Sequence, residues 1–73
     1  MMYFRVSIVG YDTCEFNDTY RTLFVEAENE DDANAKGKKW CEEHSYMGGN
    51  EWYLNSGFSV VTKEEYEKAD FKA

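Results

Sequence analysis

Apolar and polar residues alternate with a period of two in two segments of the N-terminal third of the chain, residues 3–11 and 20–27. Both segments are rich in β-branched and aromatic residues, which is typical of half-buried strands. The residues predicted to point inward from these strands are Phe4, Val6, Ile8, Leu23 and Val25. The polar stretch between the segments predicts an open hairpin loop.

Directly after the second segment, the apolar residues change from a spacing of two to the spacing of a helix. Asn29 is a good N-cap residue, and three acids, Glu30, Asp31 and Asp32, occupy the first turn behind it. The apolar stripe of this helix comprises Ala33, Gly37, Trp40, Cys41 and His44. A glycine within a helix costs about 1 kcal/mol relative to alanine, so Gly37 predicts a close approach of helix to sheet.

The C-terminal third predicts shorter elements. Residues 52–54 and 58–61 are short strand candidates separated by a turn that contains Gly57. Thr62 and Glu65 match the capping box, which predicts a helix over residues 64–71.

The order of elements, strand-strand-helix-strand, predicts a single α+β domain over residues 1–73. We expect a three- to four-stranded, largely antiparallel sheet with the first strand central, one packed helix and a short C-terminal helix. The sheet face away from the main helix would carry Tyr3, Val9, Tyr11, Tyr20 and Phe24. Either the C-terminal helix covers this face through Tyr66 and Phe71, or the face binds a partner.

Charge adds a functional indication to this fold. The chain has 15 acidic and eight basic residues, a net charge of -7, and five of the acids lie between Glu26 and Asp32. This balance argues against direct binding to the nucleic-acid backbone and favours a basic protein surface as partner. The predicted partner-binding residues are Glu26, Glu28, Glu30, Asp31, Asp32, Tyr11 and Tyr20.

Catalytic and metal chemistry find little support in the sequence. Cys41 and His44 are three residues apart on the predicted helix, and Cys14 or Asp12 would have to complete a metal site. No C-x-x-C pair is present, and the acids that follow Cys41 would raise its pKa. We therefore expect a non-enzymatic protein without a metal or another cofactor, and leave open whether Cys14, Cys41 and His44 meet.

A second hypothesis comes from a different class of function. Tyr46, Trp52 and Tyr53 surround a flexible glycine pair and would suit a small-molecule or nucleotide-sequestering module at an oligomer interface. An uncovered aromatic face or a free edge strand makes a homo-oligomer possible.

A strand that ends in valine, any residue and alanine, followed by a polar cap and an acidic helix start, also occurs in very small bacteriophage proteins. The stretches that carry this pattern are residues 23–27, 29–33 and 57–61. In this pattern the chain resembles the RNA polymerase inhibitor of T7-like phages, and in size and charge it is similar to anti-defence proteins, including anti-CRISPRs. The resemblance implies a small viral inhibitor that binds a host protein, such as a defence nuclease complex or RNA polymerase.

The sequence also predicts the cellular location of the protein. No apolar run approaches the roughly 18 residues of a membrane span, and the N-terminal segment lacks the features of a signal peptide. We therefore expect the protein in the cytoplasm of a bacterial host, without a membrane partner.

Overall fold

The computed structural model describes residues 1–12, 17–45, 50–55 and 57–73. Most of the predicted hairpin loop and the glycine pair at positions 48 and 49 lie outside these residues. The elements, in chain order, are β1 (Met2–Asp12), β2 (Asp18–Ala27), α1 (Glu30–His44), β3 (Asn50–Leu54), β4 (Ser59–Val61) and α2 (Lys63–Glu67). Within these described ranges, neither helix has the length and apolar character that a membrane crossing needs.

The four strands form one antiparallel sheet with β1 at its centre. β2 pairs with β1 along nearly its whole length, from Met2 opposite Ala27 to Tyr11 opposite Asp18. The other edge of β1 is shared by two short strands, β3 opposite residues 8–12 and β4 opposite residues 3–5. The α+β class, the central first strand and the crossover through one helix are confirmed.

Strand alternation puts the core on the α1 side of the sheet, as predicted. β1 and β2 oppose apolar residues in register, for example Phe4 to Val25 and Val6 to Leu23. The buried residues that form the core are Phe4, Val6, Ile8, Leu23, Val25, Ala27, Ala33, Trp40, Cys41 and Trp52. Phe58 adds an edge-on contact to Phe4, with ring centroids 6.3 Å apart.

Helix α1 lies close to the sheet because Gly37 has no side chain. A Cβ atom at this position would lie 3.1 Å from a methyl group of Leu54. Leu54 in turn pairs with Ile8 on β1. The close approach that Gly37 predicts is thereby confirmed.

The Trp52 ring of β3 packs directly on Gly10 of β1. These residues pair across the strands, and a Cβ atom on Gly10 would lie 2.7 Å from the indole ring. The Trp52 ring also contacts Trp40 of α1 and Phe71, each with ring centroids 6.3 Å apart. Phe71 and Trp40 complete the cluster at 5.7 Å.

The predicted C-terminal helix is too long. Its capping box, Thr62 with Glu65, is present, but α2 ends at Glu67 rather than at residue 71. Residues 71–73 instead form a short parallel pairing with the outer edge of β2, in which Phe24 donates to the carbonyl of Phe71 at 3.0 Å.

The open sheet face is therefore covered differently from the prediction. Tyr66 of α2 does pack on Tyr3, with ring centroids 5.1 Å apart. Phe71 does not join it, because the alternation of residues 71–73 directs this ring to the α1 side, into the tryptophan cluster. The strand boundaries also differ, since β1, β2 and β3 each begin one or two residues before the predicted segments and β4 begins at Ser59.

The contact between Trp52 and Gly10 gives a stability test. We expect Gly10→Ala to lower the free energy of unfolding by about 1–3 kcal/mol, because the added methyl group overlaps the indole ring. This steric cost exceeds the about 0.5–1 kcal/mol that alanine ordinarily gains over glycine in a strand. Urea denaturation of both proteins measures the difference.

The control for this prediction is a double-mutant cycle with Trp52→Phe, which removes the outer part of the ring that faces Gly10. In that background Gly10→Ala should cost much less. An equal cost in both backgrounds would show that the overlap is not the cause.

Candidate functional site

Two hydrogen bonds hold the backbone of the turn that carries the acids between β2 and α1. The Asn29 side chain accepts from the backbone N–H of Asp32 at 2.8 Å, which caps the helix as predicted. The Asp32 carboxylate accepts from the backbone N–H of Glu28 at 3.0 Å. We name the group that this turn presents, Glu26, Glu28, Glu30, Asp31 and Asp32, the acidic pole.

Asp32 has a structural role within the acidic pole. The hydrogen bond from Glu28 lowers the pKa of its carboxyl below the ordinary value, and the nearby Lys36 ammonium lowers it further. Lys36 lies 3.5 Å from the carboxylate and also donates to the carbonyl oxygen of Glu26 at 2.9 Å. The Asp32 carboxylate is therefore engaged within the protein, in the helix cap and in the ion pair with Lys36.

Glu26 extends the acidic pole onto the open face of the sheet. It pairs with Tyr3 across the strands. The pKa of the Tyr3 hydroxyl is raised by partial burial, by its hydrogen bond with Glu26 and by the negative charges of Glu26 and Glu67. Glu67 of α2 thus adds a further negative charge beside the pole, which the sequence pattern did not indicate.

The other three acids of the pole, Glu28, Glu30 and Asp31, are exposed. Within the described residues the ion pairs are Lys36 with Asp32, Lys63 with Glu67 and Lys68 with Glu64, each four residues apart on one helix. None of these pairs involves the three exposed acids. Their charge is therefore directed to solvent or to a partner.

The two predicted tyrosines lie at the other end of the sheet. Val9 of β1 is flanked by Tyr20 of β2 and Tyr53 of β3, and all three point away from α1. Tyr11 follows Val9 on the same face. We name these four residues, Val9, Tyr11, Tyr20 and Tyr53, the tyrosine face.

The predicted site residues consequently form two groups rather than one. Tyr20 and Glu26 are six residues apart on β2, which corresponds to about 20 Å along a strand. The structure brings Glu26, Glu28, Glu30, Asp31 and Asp32 together and leaves Tyr11 and Tyr20 at the far end. The sequence placed Tyr53 only in the alternative site, although its alternation with Trp52 indicates its face.

Cys41 and His44 are parts of the helix packing. Burial raises the pKa of the Cys41 thiol, and the adjacent Glu42 carboxylate raises it further, the opposite of what activates a cysteine nucleophile. The His44 ring stacks on Trp40 with centroids 4.1 Å apart. No three or more His, Cys, Asp or Glu side chains of the described residues could hold a metal ion, and Cys14 lies outside those residues.

The residues of the alternative ligand site are brought together only in part. Trp52 is buried against Gly10, whereas Tyr53 projects from the opposite face, and Tyr46 lies outside the described residues. A groove of about 390 Å³ does lie between α1 and β3. Its lining residues are Lys38, Cys41, Glu42, Ser45, Trp52, Tyr53 and Leu54.

No protein-family model, curated protein or solved structure matches this chain. The resemblance to small phage inhibitors therefore stays a prediction.

The capping role of Asp32 predicts a pH-dependent contribution to stability. Because the folded state lowers the pKa of this carboxyl, its contribution is complete above the pKa of the unfolded chain and is lost as the pH falls through the folded-state pKa. We expect Asp32→Asn to lower the melting temperature at pH 7, with a difference that disappears in acid. Thermal unfolding between pH 7 and pH 2 measures it.

Asp31→Asn is the matched control, since Asp31 is the exposed neighbour in the same first turn. It should change the melting temperature less and with a weaker pH dependence. Identical profiles for the two variants would assign the effect to the helix dipole rather than to the hydrogen bond from Glu28.

Proposed function

We propose that this protein is a non-enzymatic binding protein whose acidic pole occupies a basic surface of another protein. One observation carries the proposal: Glu28, Glu30 and Asp31 are exposed side by side on a turn that the Asn29 cap and the Asp32 hydrogen bond hold in place. Because the backbone of this turn is already held, binding to a basic surface would order only the exposed side chains and not the turn itself.

The remaining charge supports the same function. The net charge of -7 accelerates association with basic proteins and repels nucleic acids. A surface that ordinarily binds nucleic acid is the natural partner, because it already presents lysine and arginine to phosphate groups. In the setting that the phage resemblance implies, this partner is a host protein such as a defence nuclease complex or RNA polymerase, and binding inhibits it.

A second candidate function, the sequestration of a small molecule, has one observation in its favour. The groove between α1 and β3 includes Trp52, whose Nε1 atom is the one buried side-chain polar atom of the described residues without a hydrogen-bond partner. An unsatisfied buried donor costs about 1–3 kcal/mol, and a ligand acceptor that reached Nε1 after a shift of the groove lining would remove this cost. Native mass spectrometry of the purified protein tests this function, which predicts a co-purified ligand.

The acidic pole predicts a salt-dependent interaction. We expect the protein, immobilised, to capture from bacterial lysate a nucleic-acid-binding protein that DNA or RNA displaces. The triple variant Glu28→Gln, Glu30→Gln and Asp31→Asn should bind the purified partner about tenfold more weakly in 50 mM salt. It should also show a smaller loss of affinity between 50 and 300 mM salt.

The matched control removes three other exposed charges, through Glu42→Gln, Glu43→Gln and Asp70→Asn. Since this variant has the same net charge as the first, a specific role of the pole requires that it retain most of the affinity. Equal weakening of both variants, or an affinity that does not respond to salt, would contradict the proposal.

A further inference from the structure

The tyrosine face carries exposed aromatic rings on β2 and β3, with Val9 of β1 between them. Tyr20 and Tyr53 are 59% and 53% exposed, and the half-buried Val9 lies between them. Since neighbouring strands are about 4.8 Å apart, the Cα atoms of the two tyrosines are about 10 Å apart. A cation contacts an aromatic face within about 6 Å of its centroid, so one flat cation above Val9 can contact both rings.

Two carboxylates lie beside these rings. Tyr11 is flanked by Asp18 on β2 and by Glu51 on β3, all on the same face. The Tyr53 hydroxyl donates to the Glu51 carboxylate at 2.6 Å, which fixes this carboxylate next to the ring. On this face the carboxylates of Asp18 and Glu51 are therefore diagonal neighbours of Val9, which lies between the two rings, at about 7–8 Å.

Two basic side chains of the described residues border this patch from the α1 side of the sheet: Arg21, which donates to the backbone carbonyl of Tyr20 at 2.8 Å, and Lys38, which lines the groove beside Tyr53. Among the described strand residues on the open face, Arg5 is the basic one, and it is four residues from Val9 along β1, or about 13 Å. A nucleic acid would find the stacking surface but face repulsion from Asp18 and Glu51. A second copy of the chain placed face to face would oppose these acids with its own.

We propose that the tyrosine face binds an arginine-bearing segment of a protein partner. The guanidinium plane stacks on Tyr20 and Tyr53, and its N–H groups donate to the carboxylates of Asp18 and Glu51. This inference rests on the proposed function in that the partner is a basic protein. It names a second contact, about 20 Å from the acidic pole, that distinguishes arginine from lysine.

Two end-blocked peptides of equal charge test this inference, one with three arginines and one with three lysines, each separated by Gly-Ser. In ¹⁵N–¹H spectra, the arginine peptide should shift the amides of Val9, Tyr20 and Tyr53. Its dissociation constant should be about fivefold lower than that of the lysine peptide, because planar stacking on the rings is available to guanidinium and not to ammonium.

Variants separate the ring contribution from the charge contribution. Tyr20→Ser with Tyr53→Ser should abolish the preference for arginine, whereas Tyr20→Phe, which keeps the ring, should retain it. Asp18→Asn should weaken the binding of both peptides. Circular dichroism and the melting temperature confirm that each variant is folded, and the exposure of Tyr20 and Asp18 makes these substitutions structurally mild.

The acidic pole provides the control that keeps the two proposals distinct. Glu28→Gln with Asp31→Asn should leave the arginine-to-lysine ratio unchanged. One outcome is a retained arginine-to-lysine affinity ratio while the pole variants bind the protein partner as tightly as the unmodified protein does. This result would support the tyrosine-face proposal and contradict the proposed role of the acidic pole.

Equal affinities for the two peptides, or amide shifts confined to the pole, would overturn the tyrosine-face proposal. It would also be overturned by dimerisation that shifts the amides of Tyr20 and Tyr53, or by stronger binding of a uridine oligonucleotide at the same amides.

Discussion

The packing of the Trp52 ring over Gly10 is the contact on which the other elements depend. One ring of β3 lies on β1, contacts Trp40 of α1 and meets Phe71 of the C-terminal segment. Replacing such a ring by alanine costs about 3–5 kcal/mol, while a domain of 73 residues has about 4–11 kcal/mol of total stability. The short strand β3 and the last residues of the chain therefore share one aromatic cluster, in addition to their backbone pairing with β1 and β2.

This arrangement explains where the two proposed binding surfaces lie. The aromatic residues that fill the core come from β1, β3, α1 and the C-terminal segment, and they all face one side of the sheet. Helix α2 covers the opposite side near Tyr3, and the rings of Tyr20 and Tyr53 stay exposed at its other end. The acidic pole lies at the same end as Tyr3, where the chain turns from β2 into α1 between the buried residues Ala27 and Ala33.

Local patterns in the sequence were sufficient for much of this structure. Alternation predicted the inward face of β1 and β2, and the caps at Asn29 and Thr62 follow from side chains that bond backbone within three residues. The end of α2 was not predictable in this way. Residues 64–71 favour a helix locally, but the aromatic cluster that captures Phe71 and the pairing of residues 71–73 with β2 depend on residues far away in sequence. The sequence predicted Val9, Tyr11 and Tyr20 of the tyrosine face, whereas the position of Tyr53 beside Val9 depends on how β3 pairs with β1.

The separation of the two surfaces determines how a partner can use them. About 20 Å lies between Tyr20 and Glu26, more than two Debye lengths of about 8 Å at physiological salt. The charges of the pole therefore have little effect on a cation held at the tyrosine face. Contacts this far apart contribute nearly additively, and a partner that spans both gains from each independently. The pole favours any positive charge and acts on the rate of encounter, whereas stacked rings act at short range and favour planar guanidinium groups. In the proposed function, the acidic pole would recruit basic proteins broadly and the tyrosine face would retain those with a suitably placed arginine.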